Sequence, residues 1–141
     1  MTAKKNIKLT IFADGGSRGN PGQSATGFVI YDDNNQEITR GGEYIGVTTN
    51  NQAEYLAVKH SLQSAQQFHP EQINFYLDSM LVVNQMKGIY KIKNRDLWPV
   101  HQQIKDLSND INVSFTHVKR DKNEVADAIV NEVLDNHQDQ A

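Results

Sequence analysis

The stretch Ile11-Phe12-Ala13-Asp14-Gly15-Gly16-Ser17-Arg18-Gly19-Asn20-Pro21-Gly22 constrains this chain more than any other, because an apolar strand runs there into an acid and then into glycine. Leu9, Ile11 and Ala13 alternate with Thr10, Phe12 and Asp14. That period of two makes Asp14 the last side chain of a strand face, held on a rigid element. Gly15, Gly16, Gly19 and Gly22, with Pro21, predict a loop that turns sharply, lets a ligand approach and leaves amides free to face an anion. Alone, the stretch reads more readily as a hairpin loop opened by a solvated Asp. The rest of the chain decides between them.

After this loop the pattern predicts a second strand over 24–31, turn chemistry at Asp32-Asp33-Asn34-Asn35, and a third strand over 36–44 that Gly41 and Gly42 weaken or bulge. Thr49 and Gln52 are spaced as a capping box for a helix that runs to about Phe68, with Val58, Leu62 and Ala65 on its buried stripe. Glu54 opens that stripe. It is either a dipole-stabilising acid that swings to solvent or one that points inward at a positive charge. Ile73 to Leu77 is a short apolar strand ended by Asp78, with Ser79 as N-cap of a helix over 80–86. Leu97, Val100, Ile104 and Leu107 mark another amphipathic helix, a last strand covers 113–118, and Ala126, Ile129, Val130 and Val133 form the stripe of a final helix bordered by Asp127.

At 141 residues the chain predicts a single domain over 1–141, with 1–6 and 135–141 fraying. It has no cysteine, which excludes disulfides and thiolate metal sites, and no run of membrane-spanning length. A cytoplasmic protein without a membrane partner is expected. The net charge of -3 argues mildly against nucleic acid, yet residues 87–95 carry four of the fourteen basic residues and no acid. With Tyr90 inside it and Trp98 just after, this segment is either a surface that follows a phosphate backbone or a solvated loop ahead of a helix.

Asp14, Glu54, Asp78 and Asp127 therefore share a description: each sits at a strand end or in the first turns of a helix, on or beside the apolar face. Four such acids suggest one convergent cluster. Each like-charged pair at ~4 Å costs about 4 kcal/mol at an effective dielectric near 20, which bound divalent cations would remove. Oxygen ligands without Cys and with little His select Mg²⁺ or Mn²⁺ over zinc.

These residues also carry a family resemblance. Asp14 to Gly22, Thr48 to Glu54, Leu77-Asp78-Ser79, Lys93-Asn94-Arg95-Asp96-Leu97-Trp98 and Asn123 to Asp127 resemble the motifs of ribonuclease HI, the type 1 ribonuclease H family, in that family's order and over nearly the whole chain. The resemblance implies an α/β fold with a mixed five-stranded sheet and helices on both faces, in the order strand, strand, strand, helix, strand, helix, helix, strand, helix. It implies an endonuclease that hydrolyses the RNA strand of RNA/DNA hybrids by a two-metal-ion mechanism and leaves 3′-hydroxyl and 5′-phosphate ends. Asp14, Glu54, Asp78 and Asp127 fall on the family's metal-binding carboxylates, for Mg²⁺ or substituting Mn²⁺, two ions with substrate bound. Asp14 and Asp78 would be central, and Glu54 would also touch the RNA 2′-hydroxyl. Asn20, Asn50 and Asn51 match positions beside the scissile phosphate, and Thr49 and Asn94 match contacts to the DNA backbone. Each of these also reads as a turn or cap residue.

Two departures from the family stand out. The histidine-bearing loop of many bacterial members is absent, so His117 reads as structural and Arg120 as the compensating phosphate contact. The basic protrusion is also absent, which predicts weaker hybrid binding. A monomer is expected. The competing readings are a non-catalytic hybrid-binding module on the same fold, or a related nuclease that also accepts double-stranded RNA.

Overall fold

The computed structural model describes residues 7–139. Five strands form one mixed sheet: β1 (Lys8–Gly19), β2 (Gly22–Tyr31), β3 (Glu37–Thr48), β4 (Gln72–Leu77) and β5 (Asn112–His117). Their order is β3-β2-β1-β4-β5, with β2 antiparallel to both β1 and β3, and with β1, β4 and β5 parallel. Four helices complete the fold in the expected order: α1 (Asn50–Ala65), α2 (Met80–Met86), α3 (Trp98–Leu107) and α4 (Glu124–Asp139). Among the described residues no helix is long and apolar enough to cross a membrane.

The alternation of β1 sorts its two faces. Leu9, Ile11 and Ala13 join Phe28, Ile30, Ile73 and Phe75 under Tyr55, Val58 and Leu62 of α1, with Val82 and Ile104 of α2 and α3 closing the main core. On the opposite face Val130 and Leu134 of α4 cover Ala25, flanked by Tyr44 and Val133. The apolar stripes read from the sequence thus face the sheet from both sides. The two predicted caps also form. The Thr49 hydroxyl accepts from the Gln52 amide at 3.2 Å, the Gln52 side chain accepts from the Thr49 amide at 2.9 Å, and Ser79 accepts from the Val82 amide at 3.2 Å.

Where the sequence predicts a glycine loop after Asp14, the strand continues. β1 and β2 stay paired from Thr10–Tyr31 through Asp14–Gly27 to Gly19–Gly22, leaving only Asn20 and Pro21 in the turn. Gly15 and Gly16 serve helix packing instead of a loop, while Gly19 and Gly22 flank the two-residue turn. A Cβ on Gly15 would lie 2.1 Å from the Ala53 carbonyl oxygen, so the α1 backbone rests directly on β1 there. β3 likewise extends to Thr48, and Gly41 and Gly42 pair in register with Phe28 and Gly27. The irregularities lie at Ser24/Ala25 and Ile30/Tyr31 instead.

Within the tail of 135–141 that is expected to fray, α4 continues to Asp139. Arg18 of the first hairpin bonds Asp135 at 2.7 Å, and the rings of Tyr44 and His137 stack at 3.6 Å between centroids. These cross-chain contacts dock a polar segment whose composition gives no sign of them. Residues 1–6 and 140–141 lie outside the described residues.

The Gly15 contact sets a test of the packing. Gly15→Ala forces β1 and α1 apart and lowers stability by about 3 kcal/mol, read as a fall in the urea midpoint at unchanged slope.

Candidate metal centre

β4 stops at Leu77, and its last pair with β1 is Phe12–Tyr76. β1 runs on past that point paired only with β2, which opens a cleft at the carboxyl edge of the parallel strands, where open α/β sheets place ligands. Asp14 lies on β1 just inside the cleft and is only 6% exposed. Asp78 follows β4 directly. Glu54 comes from α1, which Gly15 allows close enough to reach in. One carboxylate oxygen from each of these three acids lies within 4.8 Å of the others.

Asp127, in the first turn of α4, lies outside that mutual set but close enough to Asp14 to act on its charge. Three of the four predicted acids therefore converge, and the fourth borders them. Glu54 is the fifth residue of α1, beyond the free amides of the first turn, and does not swing to solvent: its Oε2 is buried without a hydrogen-bond partner.

Crowding and burial both disfavour charge here. Burial first, then the charges of Asp78, Glu54 and Asp127, push the Asp14 pKa up to about 8. Burial first, with the Asp78 charge adding to it, pushes Glu54 up to about 7, while a hydrogen bond from Ser79 and the Arg120 charge pull the other way. Among the described residues the ion pairs lie elsewhere, at Arg18–Asp135, Arg40–Glu37 and His60–Glu43. The all-oxygen donor set, the unpartnered Glu54 oxygen and the absence of a paired side-chain cation fit a hard divalent metal ion.

The remaining predicted residues divide into two groups. Asn20 accepts from the Asn50 amide at 3.0 Å, tying the first hairpin to the start of α1 beside the Thr49 cap. Asn51 and Asn94 line one groove of about 580 Å³ with Tyr90, Lys91 and Lys93 of the basic segment. The Asn94 side chain also accepts from the Asp96 amide at 2.9 Å and so caps the short turn Arg95–Leu97. Arg120 is exposed in the turn Arg120–Lys122, and its charge reaches Glu54. His117 ends β5 with its side chain exposed.

Two residues of the site were not singled out from the sequence. Ser79 reads only as the cap of α2, which it is, but its hydroxyl also acts to lower the pKa of Glu54 against the effect of burial. Asn123, 1% exposed, donates from its side-chain amide to the Ala13 carbonyl at 2.9 Å and to Asp78 Oδ2 at 3.1 Å. In sequence an Asn just before a helix reads as a cap, and nothing local signals that its side chain turns to β1 and β4 instead.

Sheet order and acidic centre together define a ribonuclease H-like domain. Residues 12–133 match the family model described as reverse transcriptase-like. The chain is 40% identical over 129 residues to ribonuclease HI of Halobacterium salinarum, across 91% of this chain and 65% of that protein. It is 35% identical over 131 residues to a bifunctional protein of Mycobacterium tuberculosis, of which it spans 36%. The solved structure of LC11-RNase H1 in complex with RNA/DNA hybrid superposes with a TM-score of 0.88 at 37% identity, over 92% of this chain and 99% of that one. The chain belongs to the ribonuclease HI family. It spans less than two thirds of the length of the halobacterial and mycobacterial relatives.

The raised pKa values give stability a direction with pH. The folded values of about 8 for Asp14 and about 7 for Glu54 lie above the ordinary 3.8 and 4.5, so the folded state keeps protons that the unfolded state has lost. Their stabilising contribution is complete below the ordinary carboxylate range and disappears as pH rises through about 7 to 8. The melting temperature of metal-free protein should fall between about pH 5 and about pH 8, and fall less in Asp14→Asn. Saturating Mg²⁺ should raise it most at the alkaline end. Differential scanning calorimetry across that range checks both.

Proposed function

We propose that this chain is a divalent-metal-dependent endonuclease that hydrolyses the RNA strand of RNA/DNA hybrids, leaving 3′-hydroxyl and 5′-phosphate ends. The observation that carries this reading is the convergence of the Asp14, Glu54 and Asp78 carboxylates within 4.8 Å at the open edge of the sheet. The family relative solved with a hybrid bound supports the choice of substrate. Asp14, Glu54 and Asp78 would hold Mg²⁺, or Mn²⁺ in its place, with Asp127 serving a second ion once substrate is bound. Such ions supply Lewis acidity at the phosphoryl centre and a water of lowered pKa.

The chain's own residues bind and orient the hybrid. Glu54, besides helping to hold the ion, would be the group that meets the RNA 2′-hydroxyl. Asn20, Asn50 and Asn51 sit together at the start of α1 and address the two strands beside the scissile phosphate. Thr49 and Asn94 take the DNA backbone, and Lys91 and Lys93 add charge in the groove that Asn94 shares. Arg120, exposed in the turn Arg120–Lys122, offers a planar fork of donors to phosphate oxygens. Residues 1–141 act in this reading as one domain and as a monomer in the cytoplasm.

Cleavage of an end-labelled RNA/DNA hybrid in Mg²⁺ and in Mn²⁺ tests the proposal, with matched double-stranded RNA as comparison. Asp78→Asn should lower the cleavage rate at least about 10³-fold while keeping an oxygen that accepts from Asn123, so metal-free stability stays equal or rises. Binding of hybrid without any cut by the unsubstituted protein would favour a binding module. The electrostatic part has its own readout. If Lys91, Lys93 and Arg120 neutralise three phosphates, kcat/KM should fall about 40-fold from about 50 to about 200 mM salt, and a flat profile would exclude those contacts.

A further inference from the structure

Asn123 connects every strand and turn that carries the acidic centre on the α4 side. Its side-chain nitrogen donates to the Ala13 carbonyl, the peptide next to Asp14, and to Asp78 Oδ2. Its main chain does as much again: its amide donates to the Arg120 carbonyl at 3.0 Å, and its carbonyl accepts from the Asp127 amide at 3.1 Å. The bond to Ala13 falls one residue beyond the last β1–β4 pair, Phe12–Tyr76, where the ladder has ended and the two strands could otherwise drift apart. The bond to Asp78 fixes one oxygen of a carboxylate that β4 no longer holds.

The residue type matters. Only an uncharged group with two hydrogens on one atom can serve both acceptors without adding charge to a crowded acidic cleft. The choice leaves a buried oxygen unsatisfied, since Asn123 Oδ1 has no partner. An unsatisfied buried acceptor costs stability, so a residue selected for packing or capping alone would not carry it.

We propose that Asn123 is a positioning residue for the acidic centre, setting the rotation of the Asp78 carboxylate and its spacing from Asp14 so that the free protein presents a preformed divalent-cation site. This rests on the metal-dependent reading above, and it adds that the site is built before substrate arrives. Neighbours that orient metal-ligating carboxylates contribute about 10–100-fold to metal affinity or activity when removed.

The test is Mn²⁺ binding to the free protein by isothermal titration calorimetry, alongside kcat and KM on the hybrid, for the unsubstituted protein, Asn123→Ala and Asn123→Ser. Both variants should bind Mn²⁺ about 10-fold or more weakly and lose kcat with KM for the hybrid nearly unchanged, and excess Mn²⁺ should restore part of kcat. A role confined to folding would lower the melting temperature without that rescue. Mn²⁺ affinity within twofold of the unsubstituted protein in either folded variant overturns the inference. If neither variant folds, the Asn123 side-chain amide signals of the unsubstituted protein decide by NMR. A shift on Mg²⁺ titration that saturates together with Asp78 supports the role, and unmoved signals refute it. An unsubstituted protein that binds Mn²⁺ but never cuts hybrid refutes the nuclease reading and leaves the Asn123 result standing. One that cuts hybrid while Asn123→Ala binds Mn²⁺ normally refutes the Asn123 role alone.

Discussion

Carboxylates brought within 4.8 Å of one another in a partly buried cleft repel, and the fold has to hold them there against that repulsion. The ways in which chains usually remove such strain are missing at this place. Among the described residues no lysine or arginine pairs with Asp14, Glu54 or Asp78, and one Glu54 oxygen has no partner. Protonation takes up part of the cost, as the raised pKa values of Asp14 and Glu54 record. The rest must come from the framework: a strand at the centre of the sheet, a helix lying against its backbone and an amide that bridges the strand ends.

That framework explains features that otherwise look unrelated. β1 must outrun β4, because a ladder continued to Asp14 would close the cleft. Once β1 outruns β4, its free stretch needs other support, which comes from β2 on one side and from Asn123 on the other. α1 must approach close enough for Glu54 to reach Asp14, and Gly15 supplies the space. Helix caps on Thr49 and Ser79 start α1 and α2 beside the cleft, so the elements bearing Glu54 and flanking Asp78 begin at defined positions.

Much of this was legible in the sequence, for physical reasons. A period of two places Asp14 on a strand face, a capping box marks where α1 begins, and an acid directly after an apolar run marks the end of β4. Local patterns of this kind are set by neighbours a few residues away. What the sequence hid depends on distant partners. Gly15 reads as loop, because its reason to lack a Cβ is the Ala53 carbonyl of another element. The last turn of α4 reads as a frayed tail, since Arg18 and Tyr44 are more than ninety residues away. Asn123 reads as a cap, since its acceptors are Ala13 and Asp78. Even the convergence of the acids was only inferable by counting similar positions, and Asp127 shows the limit of that count by standing just outside the cluster.

Charge placement carries the argument one step further. The chain is net negative, and in the proposed function the acidic centre would repel a polyanion from the very place where its backbone comes closest. Lys91 and Lys93 in the groove that Asn51 and Asn94 line, and Arg120 within reach of Glu54, add positive charge without pairing with the three converging acids. In the proposed function a phosphate drawn in by these charges would meet the carboxylates, and cations bound between them would make the contact favourable. The same ions that would relieve the repulsion within the fold would then complete the surface that the proposed substrate requires. On this account metal binding, the pH dependence of stability and acceptance of nucleic acid are linked through one set of side chains.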